Sequence, residues 1–279
     1  MKSLDGKIVV ITGAGSGIGR AIALALAGAG SHVVVADIQA EKAEAVADEV
    51  RGRGVRTLAV SCDVSDAQSV MALADRAYAE FGRVDILCNN AGISMRPYRG
   101  IAETTMQDWH VLYGVNLWGV VHGLQAFLPR MKRQPGEKHV VNTASLAGLV
   151  PMESHAIYSS SKAAVVNLSE ALAREVAPHG IGVTILCPGP VPTNLKENLD
   201  AIRGADRPEQ QRTYETILMP TFDRMASLAL TCIEPVGAMV CNAILDNAMY
   251  LHTAAMPGDW VAERTWLQYG PHALGRTCE

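Results

Sequence analysis

From Lys7 to Gly189 the chain repeats one unit, a short run of β-branched and other apolar residues followed by a longer segment with helical spacing. The short runs are Lys7–Thr12, His32–Ile38, Arg56–Cys62, Asp85–Asn89, His139–Thr143 and Gly182–Cys187. They are apolar throughout rather than alternating, which is how a strand reads when helices cover both faces of its sheet. Between them, Ile18, Ile22 and Leu26 recur every fourth residue, and Val70, Leu73, Ala74, Ala77 and Phe81 follow an i, i+3, i+4, i+7 pattern. Strands alternating with helices that bury one stripe make βαβ units. Right-handed crossovers then predict an α/β fold with a doubly wound parallel sheet flanked by helices, its ligand crevice beyond the carboxyl ends of the strands. After Gly189 the pattern loosens into Val191–Arg203, a polar stretch to Arg212 and a Met/Leu-rich segment, Ile217–Leu230. A last helix (Glu234–Leu245), a short strand (Met249–Thr253) and a tail containing Trp260, Trp266 and Tyr269 complete the chain.

With 279 residues, 49% of them hydrophobic, there is material for one large core. No Pro/Ser-rich linker or charge block divides it, so residues 1–279 are expected to form a single domain. A net charge of −4 gives no support to a nucleic-acid surface or a polybasic membrane anchor, and a small diffusible substrate fits better. No apolar run approaches the ~20 residues needed to span a bilayer. Met1–Lys7 leads straight into a strand-like run without the apolar region of a signal peptide, so a cytoplasmic location is expected. Cys62, Cys88, Cys187, Cys232, Cys241 and Cys278 lie far apart and the histidines are scattered, so no metal site is expected.

The first strand runs into Thr12-Gly13-Ala14-Gly15-Ser16-Gly17-Ile18-Gly19, with a helix directly behind it. Glycines at 13, 17 and 19 permit a tight turn and a close backbone approach, so a pyrophosphate can rest on free N–H groups at the positive end of the helix. A glycine cluster alone also serves tight turns that bind nothing. Here its place between strand and helix points to a dinucleotide. The second strand ends at Asp37, 18 residues beyond Gly19, where a carboxylate accepts hydrogen bonds from both adenosine ribose hydroxyls. Its charge repels a 2′-phosphate, and neither Ser16 nor Ile38 is replaced by Arg or Lys, so NAD is expected over NADP.

Tyr158 and Lys162 stand four residues apart in a helical region and project from one face. A tyrosine of ordinary pKa near ~10 is a poor base at neutral pH. A neighbouring ammonium stabilises the phenolate, and Tyr158 can then accept an alcohol proton while hydride leaves the carbinol carbon. Ser145, at the carboxyl edge of the fifth strand, can donate to the developing oxygen, or can simply cap a helix. Asn116 sits in the otherwise apolar helical pattern Trp109–Leu128, where its amide needs partners.

With these residues assembled, the chain resembles the classical short-chain dehydrogenase/reductase family from about Lys7 to Thr193. Seven ordered motifs carry the likeness: Thr12–Gly19, Asp63-Val64, Asn89-Asn90-Ala91-Gly92, Asn116, Ser145, the Tyr158/Lys162 pair, and Pro188-Gly189 followed by Thr193. The resemblance implies a single-domain Rossmann-type sheet and a homotetramer. It implies that Gly13, Ser16, Gly17, Ile18, Gly19, Asp37, Asp63, Val64, Asn90, Ala91, Gly92, Pro188, Gly189, Val191 and Thr193 bind the cofactor. Asp63 and Val64 contact the adenine, Val191 and Thr193 the nicotinamide carboxamide, and Lys162 the nicotinamide ribose. Asn116 holds a water in a proton relay from Tyr158. Two departures stand out. The family's serine pair is Ala144-Ser145 here, and its common Asp-Gly-Gly after the last strand is absent.

Residues 190–230 are expected to form the family's substrate lid, with 254–279 a tail. Leu195 and Met219 in the lid, Met95 and Tyr98 after Gly92, and Leu146, Met152 and His155 between Ser145 and Tyr158 would wall an apolar pocket. Few charges lie near these positions, so a phosphorylated or polyhydroxylated substrate would lack partners. The expected reaction interconverts a secondary alcohol and its ketone with an apolar substituent, and Gly119–Met131 and Glu234–Thr253 resemble bacterial short-chain dehydrogenases that oxidise aryl carbinols, which implies a substrate of the 1-arylethanol type. Hydroxysteroid or cyclic-alcohol dehydrogenase and 3-oxoacyl-thioester reductase are the alternatives, and Asp37 argues against the last.

Overall fold

Seven strands form the sheet: β1 (Ile8–Thr12), β2 (His32–Asp37), β3 (Thr57–Ser61), β4 (Ile86–Asn89), β5 (Lys138–Thr143), β6 (Ile181–Cys187) and β7 (Tyr250–His252). In the computed structural model, which describes residues 1–94, 99–150, 152–191 and 232–254, they pair in the order β3-β2-β1-β4-β5-β6-β7. Every neighbouring pair is parallel. Each strand limit falls within one residue of the sequence expectation, because an apolar run between two helices has no other way to bury both its faces.

The flanking helices are α1 (Gly17–Gly28), α2 (Ala40–Arg51), α3 (Ala67–Phe81), α4 (Met106–Tyr113), α5 (Gly119–Met131), α6 (Ala156–Val176) and α7 (Glu234–Asp246). They make two large cores, and a smaller cluster of Ile93, Leu112 and Ile157 lies beside Tyr158. Val10, Leu87 and Val140 point toward Leu73, Phe127 and Leu172 of α3, α5 and α6, while Val9, Ile11 and Ile86 point toward Ile22, Val46 and Val240 of α1, α2 and α7. Alternate residues of one strand thus serve opposite layers, and each buried aliphatic side chain contributes about 1.5–3 kcal/mol. The order of connection reverses between β1 and β4, and this opens the crevice at their carboxyl ends.

One element differs from expectation. The helical pattern Trp109–Leu128 proves to be α4 and α5 joined through a π-helical turn, Gly114–Trp118, which contains Asn116. It also begins three residues earlier, where Thr105 and Asp108 form a reciprocal capping box. The joined Met106–Met131 helix is long and apolar enough to cross a bilayer, contrary to the expectation that no run is, but half of its apolar window is buried within the fold. α5 packs on α3 and α4 on α6, so its apolar surface has a partner inside the protein.

Candidate active site

The turn from β1 to α1 is shaped by two close approaches. Gly13 has φ +62°, and a Cβ there would stand 2.7 Å from the Cα of Ala91. A Cβ on Gly19 would stand 2.2 Å from the carbonyl oxygen of Gly13, so only glycine allows the chain to fold back this tightly. Ser16 is the N-cap of α1 but makes no side-chain cap bond, which leaves the first N–H groups of the helix facing the crevice. Asn90 welds the floor. Its Nδ2 donates to the carbonyls of Thr12 (3.0 Å) and Gly13 (3.2 Å), and its Oδ1 accepts from Thr143 Oγ1 (3.3 Å). Thr12 Oγ1 in turn accepts from the N–H groups of Asn90 and Ala91, at 3.0 and 3.1 Å.

Asp37 closes one end of the crevice. Its Oδ2 accepts from Gly15 N–H at 2.9 Å and its Oδ1 from Gln39 N–H at 3.0 Å. A carboxylate has about four acceptor positions, so capacity remains for the hydroxyls of a sugar. Lys42, on α2, packs against the same Gly15. Asp63 Oδ1 accepts from the backbone N–H (2.9 Å) and hydroxyl (2.7 Å) of Ser65, fixing the turn after β3, and the Val64 carbonyl pairs with His122 Nδ1 at 2.9 Å.

At the other end stand Ser145, Tyr158 and Lys162. Ser145 Oγ accepts from Ala147 N–H (3.1 Å), so the serine does cap the short 3₁₀ turn Leu146–Gly148. Its own proton has only a distant acceptor, the Pro188 carbonyl at 3.5 Å, and remains available to an oxygen in the crevice. Lys162 is buried, with Nζ donating to the Thr143 carbonyl (2.9 Å) and standing 5.9 Å from the centre of the Tyr158 ring. Burial brings its pKa down to about 8. The Cys187 thiol beside it is pushed up to about 12, again by burial, and stays neutral. The ammonium is therefore poorly solvated and poised to stabilise a nearby anion.

Asn116 uses its side chain to brace the site. Its Nδ2 donates to the Ile93 carbonyl (3.0 Å) and to Ser161 Oγ (3.2 Å), and its Oδ1 accepts from Ile93 N–H (2.9 Å). Both amide protons are thereby spent on tying the loop after β4 to α6.

The two ends belong to one cavity of about 740 Å³, which Asn116 does not border. Gly13, Ser16, Gly17, Ile18, Gly19, Asp37, Asp63, Val64, Asn90, Ala91, Gly92, Ser145, Met152, His155, Tyr158, Lys162, Pro188, Gly189 and Val191 all border it. Leu146 is a correction. It turns into the core, almost wholly buried and close to Gly189, and Ala147 takes its place on the wall. Met95, Tyr98, Thr193, Leu195 and Met219 lie outside the described residues. Sequence reasoning missed Ser94, Gln107 and His110, which also border the cavity and make its wall more polar than expected. The spacing of Gln107, His110, Val111 and Gly114 on one helical stripe is the signal that could have found two of them.

Comparison with known proteins agrees with this geometry. The short chain dehydrogenase family model matches residues 7–203. The chain belongs to the short-chain dehydrogenase/reductase family. Among its relatives, the D-threitol dehydrogenase of Mycolicibacterium smegmatis is 42% identical over 246 residues, covering 87% of this chain and 91% of that protein. The crystal structure of a short-chain dehydrogenase/reductase from Burkholderia phymatum in complex with NAD superposes with a TM-score of 0.86 at 34% identity, covering 100% of this chain and 99% of that one. A 7α-hydroxysteroid dehydrogenase complexed with NADH and 7-oxo glycochenodeoxycholic acid gives 0.75 at 29% identity, covering 90% and 94%. This short-chain dehydrogenase/reductase is thus an NAD(P)-dependent oxidoreductase of the alcohol dehydrogenase type, acting on small-molecule alcohols or ketones.

Proposed function

We propose that the chain is an NAD-preferring dehydrogenase that interconverts a secondary alcohol and its ketone, with an aromatic or other bulky apolar substituent of the 1-arylethanol type. The observation that carries this reading is the convergence of Ser145, Tyr158 and Lys162 on one end of a cavity whose other end holds Asp37. Bound in this cavity, NAD would supply the acceptor for the hydride released from the carbinol carbon. Tyr158, as phenolate, takes the hydroxyl proton, and the C–O bond becomes the ketone carbonyl. Ser145 donates a hydrogen bond to that oxygen while charge develops on it. The Lys162 ammonium stabilises the phenolate and would hold the nicotinamide ribose. Gly13 and Gly17–Gly19 would cradle the pyrophosphate, and Asp37 would take the adenosine ribose and repel a 2′-phosphate. Asn116, whose amide protons go to Ile93 and Ser161, is assigned the holding of a water in the relay from Tyr158.

Ile93, Val111, Val115, Ala147 and Met152 support an apolar substituent. The likeness to a D-threitol dehydrogenase favours a second reading, a polyol substrate. The deciding measurement is kcat/KM with NAD and with NADP for 1-phenylethanol, cyclohexanol, a 3-hydroxysteroid, a sugar alcohol and a 3-hydroxyacyl thioester. 1-Phenylethanol with NAD is expected to lead, and a clear preference for either of the last two substrates overturns the reading.

We further propose that residues 1–279 form one domain, with residues 190–230 covering the substrate, and that four copies assemble in the cytoplasm. Trp118 supports the assembly, being 53% exposed on the joined α4–α5 helix and stacked on His122, where a partner would cover it. Light scattering is expected to give four times the 29.7 kDa chain mass, and a monomer at micromolar concentration would rule assembly out.

A further inference from the structure

Ser94 is a buried hydroxyl on the wall of the cavity, in the loop that follows β4. It makes one hydrogen bond, between Oγ and Nε2 of His155 at 3.3 Å. A hydroxyl carries one proton and two lone pairs, so in either tautomer of His155 the Ser94 oxygen keeps capacity for another partner. His155 is itself buried, and its ring lies 4.7 Å from that of Tyr158, centre to centre. Two residues before Ser94, a Cβ on Gly92 would stand 3.2 Å from Lys162 Nζ. Ser94 therefore flanks the end of the cavity at which the carbinol oxygen is handled, on a wall it shares with Ile93, Val111, Val115 and Met152 and with the polar Gln107 and His110.

The pair is held in place from behind. Ser154, immediately before His155, adopts a left-handed φ of 55°, uncommon for a residue with a side chain. The backbone N–H of Arg99 donates to its carbonyl at 3.0 Å. Arg99 pairs with Asp108 of α4 at 3.5 Å, both side chains buried, and Asp108 also accepts from Thr105 N–H at 2.9 Å. Ser154, and with it His155, is thus tied through Arg99 to the first turn of α4, and Ser94 is tied to His155 by their shared hydrogen bond. Such rigid support is what a polar contact needs in order to discriminate between substrates.

We propose that Ser94, oriented by His155, is a specificity-determining residue that hydrogen-bonds an oxygen on the carbon next to the carbinol, so that the preferred substrates are vicinal diols and the α-hydroxy ketones they form. This rests on the alcohol-oxidation reading above and refines its substrate class. A site built to bond a hydroxyl rejects the analogue that lacks it, because its own polar group is left without a partner. The experiment compares kcat/KM in two matched pairs, 1-phenyl-1,2-ethanediol against 1-phenylethanol and 2,3-butanediol against 2-butanol. A preference for the diol of about tenfold or more is expected in the wild type, and Ser94→Ala should bring that ratio toward one. An inert aryl pair beside an active aliphatic pair would count against the 1-arylethanol reading alone, with the aliphatic ratio still deciding on Ser94. A wild-type ratio near one in every active pair, or a ratio unmoved by Ser94→Ala, overturns the proposal. Failure to oxidise either pair overturns both readings.

Discussion

Tyr158 and Lys162 illustrate what a single side chain can be asked to do. Their separation of one helical turn is fixed by the chain, but the value of the lysine comes from its burial, which weakens its hydration and strengthens its hold on a neighbouring anion. Replacing Tyr158 with Phe removes the proton acceptor and almost no binding surface. In stopped-flow and binding assays, kcat is expected to fall by about 10²–10⁴ while NAD affinity stays within a few-fold. Lys162→Ala should damage both, since one ammonium serves the phenolate and the ribose. Substantial turnover by the phenylalanine variant would refute the mechanism. Asp37 is the second residue with a sharp prediction. Asp37→Ala deletes a ribose acceptor and a repulsive charge together, and leaves Lys42, packed on Gly15, to meet a 2′-phosphate. The NAD/NADP ratio of kcat/KM should drop by about tenfold or more, the equivalent of at least ~1.4 kcal/mol, and a parent enzyme that already prefers NADP would contradict the role given to Asp37.

At the scale of elements, the phosphate-binding turn depends on a helix far along the chain. α7 packs along α1 through Gly237, and a Cβ at that position would stand 2.2 Å from the carbonyl oxygen of Ala21. The backbone atom cannot step aside cheaply, so Gly237→Ala must push the two helices apart. A loss of about 1–3 kcal/mol is expected, read as a Tm lowered by several degrees in calorimetry. Because α1 carries Gly17–Gly19 at its start, the same variant should weaken NAD binding, and a dissociation constant equal to that of the wild type would show that the turn is positioned independently of α7. The strands and most helices could be drawn from the spacing of apolar residues, since burial on both faces of the sheet leaves so little freedom. The π turn at Gly114–Trp118 could not, because hydrogen-bond spacing within a helix responds to what Asn116 meets across the fold.

For the molecule as a whole, His139 links stability to pH. It lies on β5, 1% exposed, with Nε2 2.8 Å from Thr184 Oγ1, and burial lowers its pKa to about 4. The unfolded chain binds that proton near pH ~6.5. Because the folded value is the lower one, the contribution of neutral His139 is fully present above about pH 6.5 and is lost as pH falls toward 4, reaching about 3 kcal/mol. Thermal unfolding followed between pH 7.5 and 4.5 should show Tm falling below about pH 6.5, and His139→Asn should flatten that slope. An unchanged slope would assign the acid sensitivity to other groups.

Local patterning alone carried the doubly wound sheet, the dinucleotide turn and the positions of Tyr158, Lys162, Ser145 and Asp37, because these follow from unbroken apolar runs, from helical spacing and from residues fixed to the ends of strands or one turn apart on a helix. What only the tertiary structure decided is how side chains from distant segments divide the space. Leu146 enters the core while Ala147 meets the cavity, since the 3₁₀ turn after Ser145 rotates one residue inward and the next outward. Asn116 spends its amide on Ile93 and Ser161, 23 and 45 residues away. Ser94 and His155, 61 residues apart, become one polar pair beside Tyr158. No periodicity records such pairings, because they arise from loops whose approach is set by the packing of the elements they join.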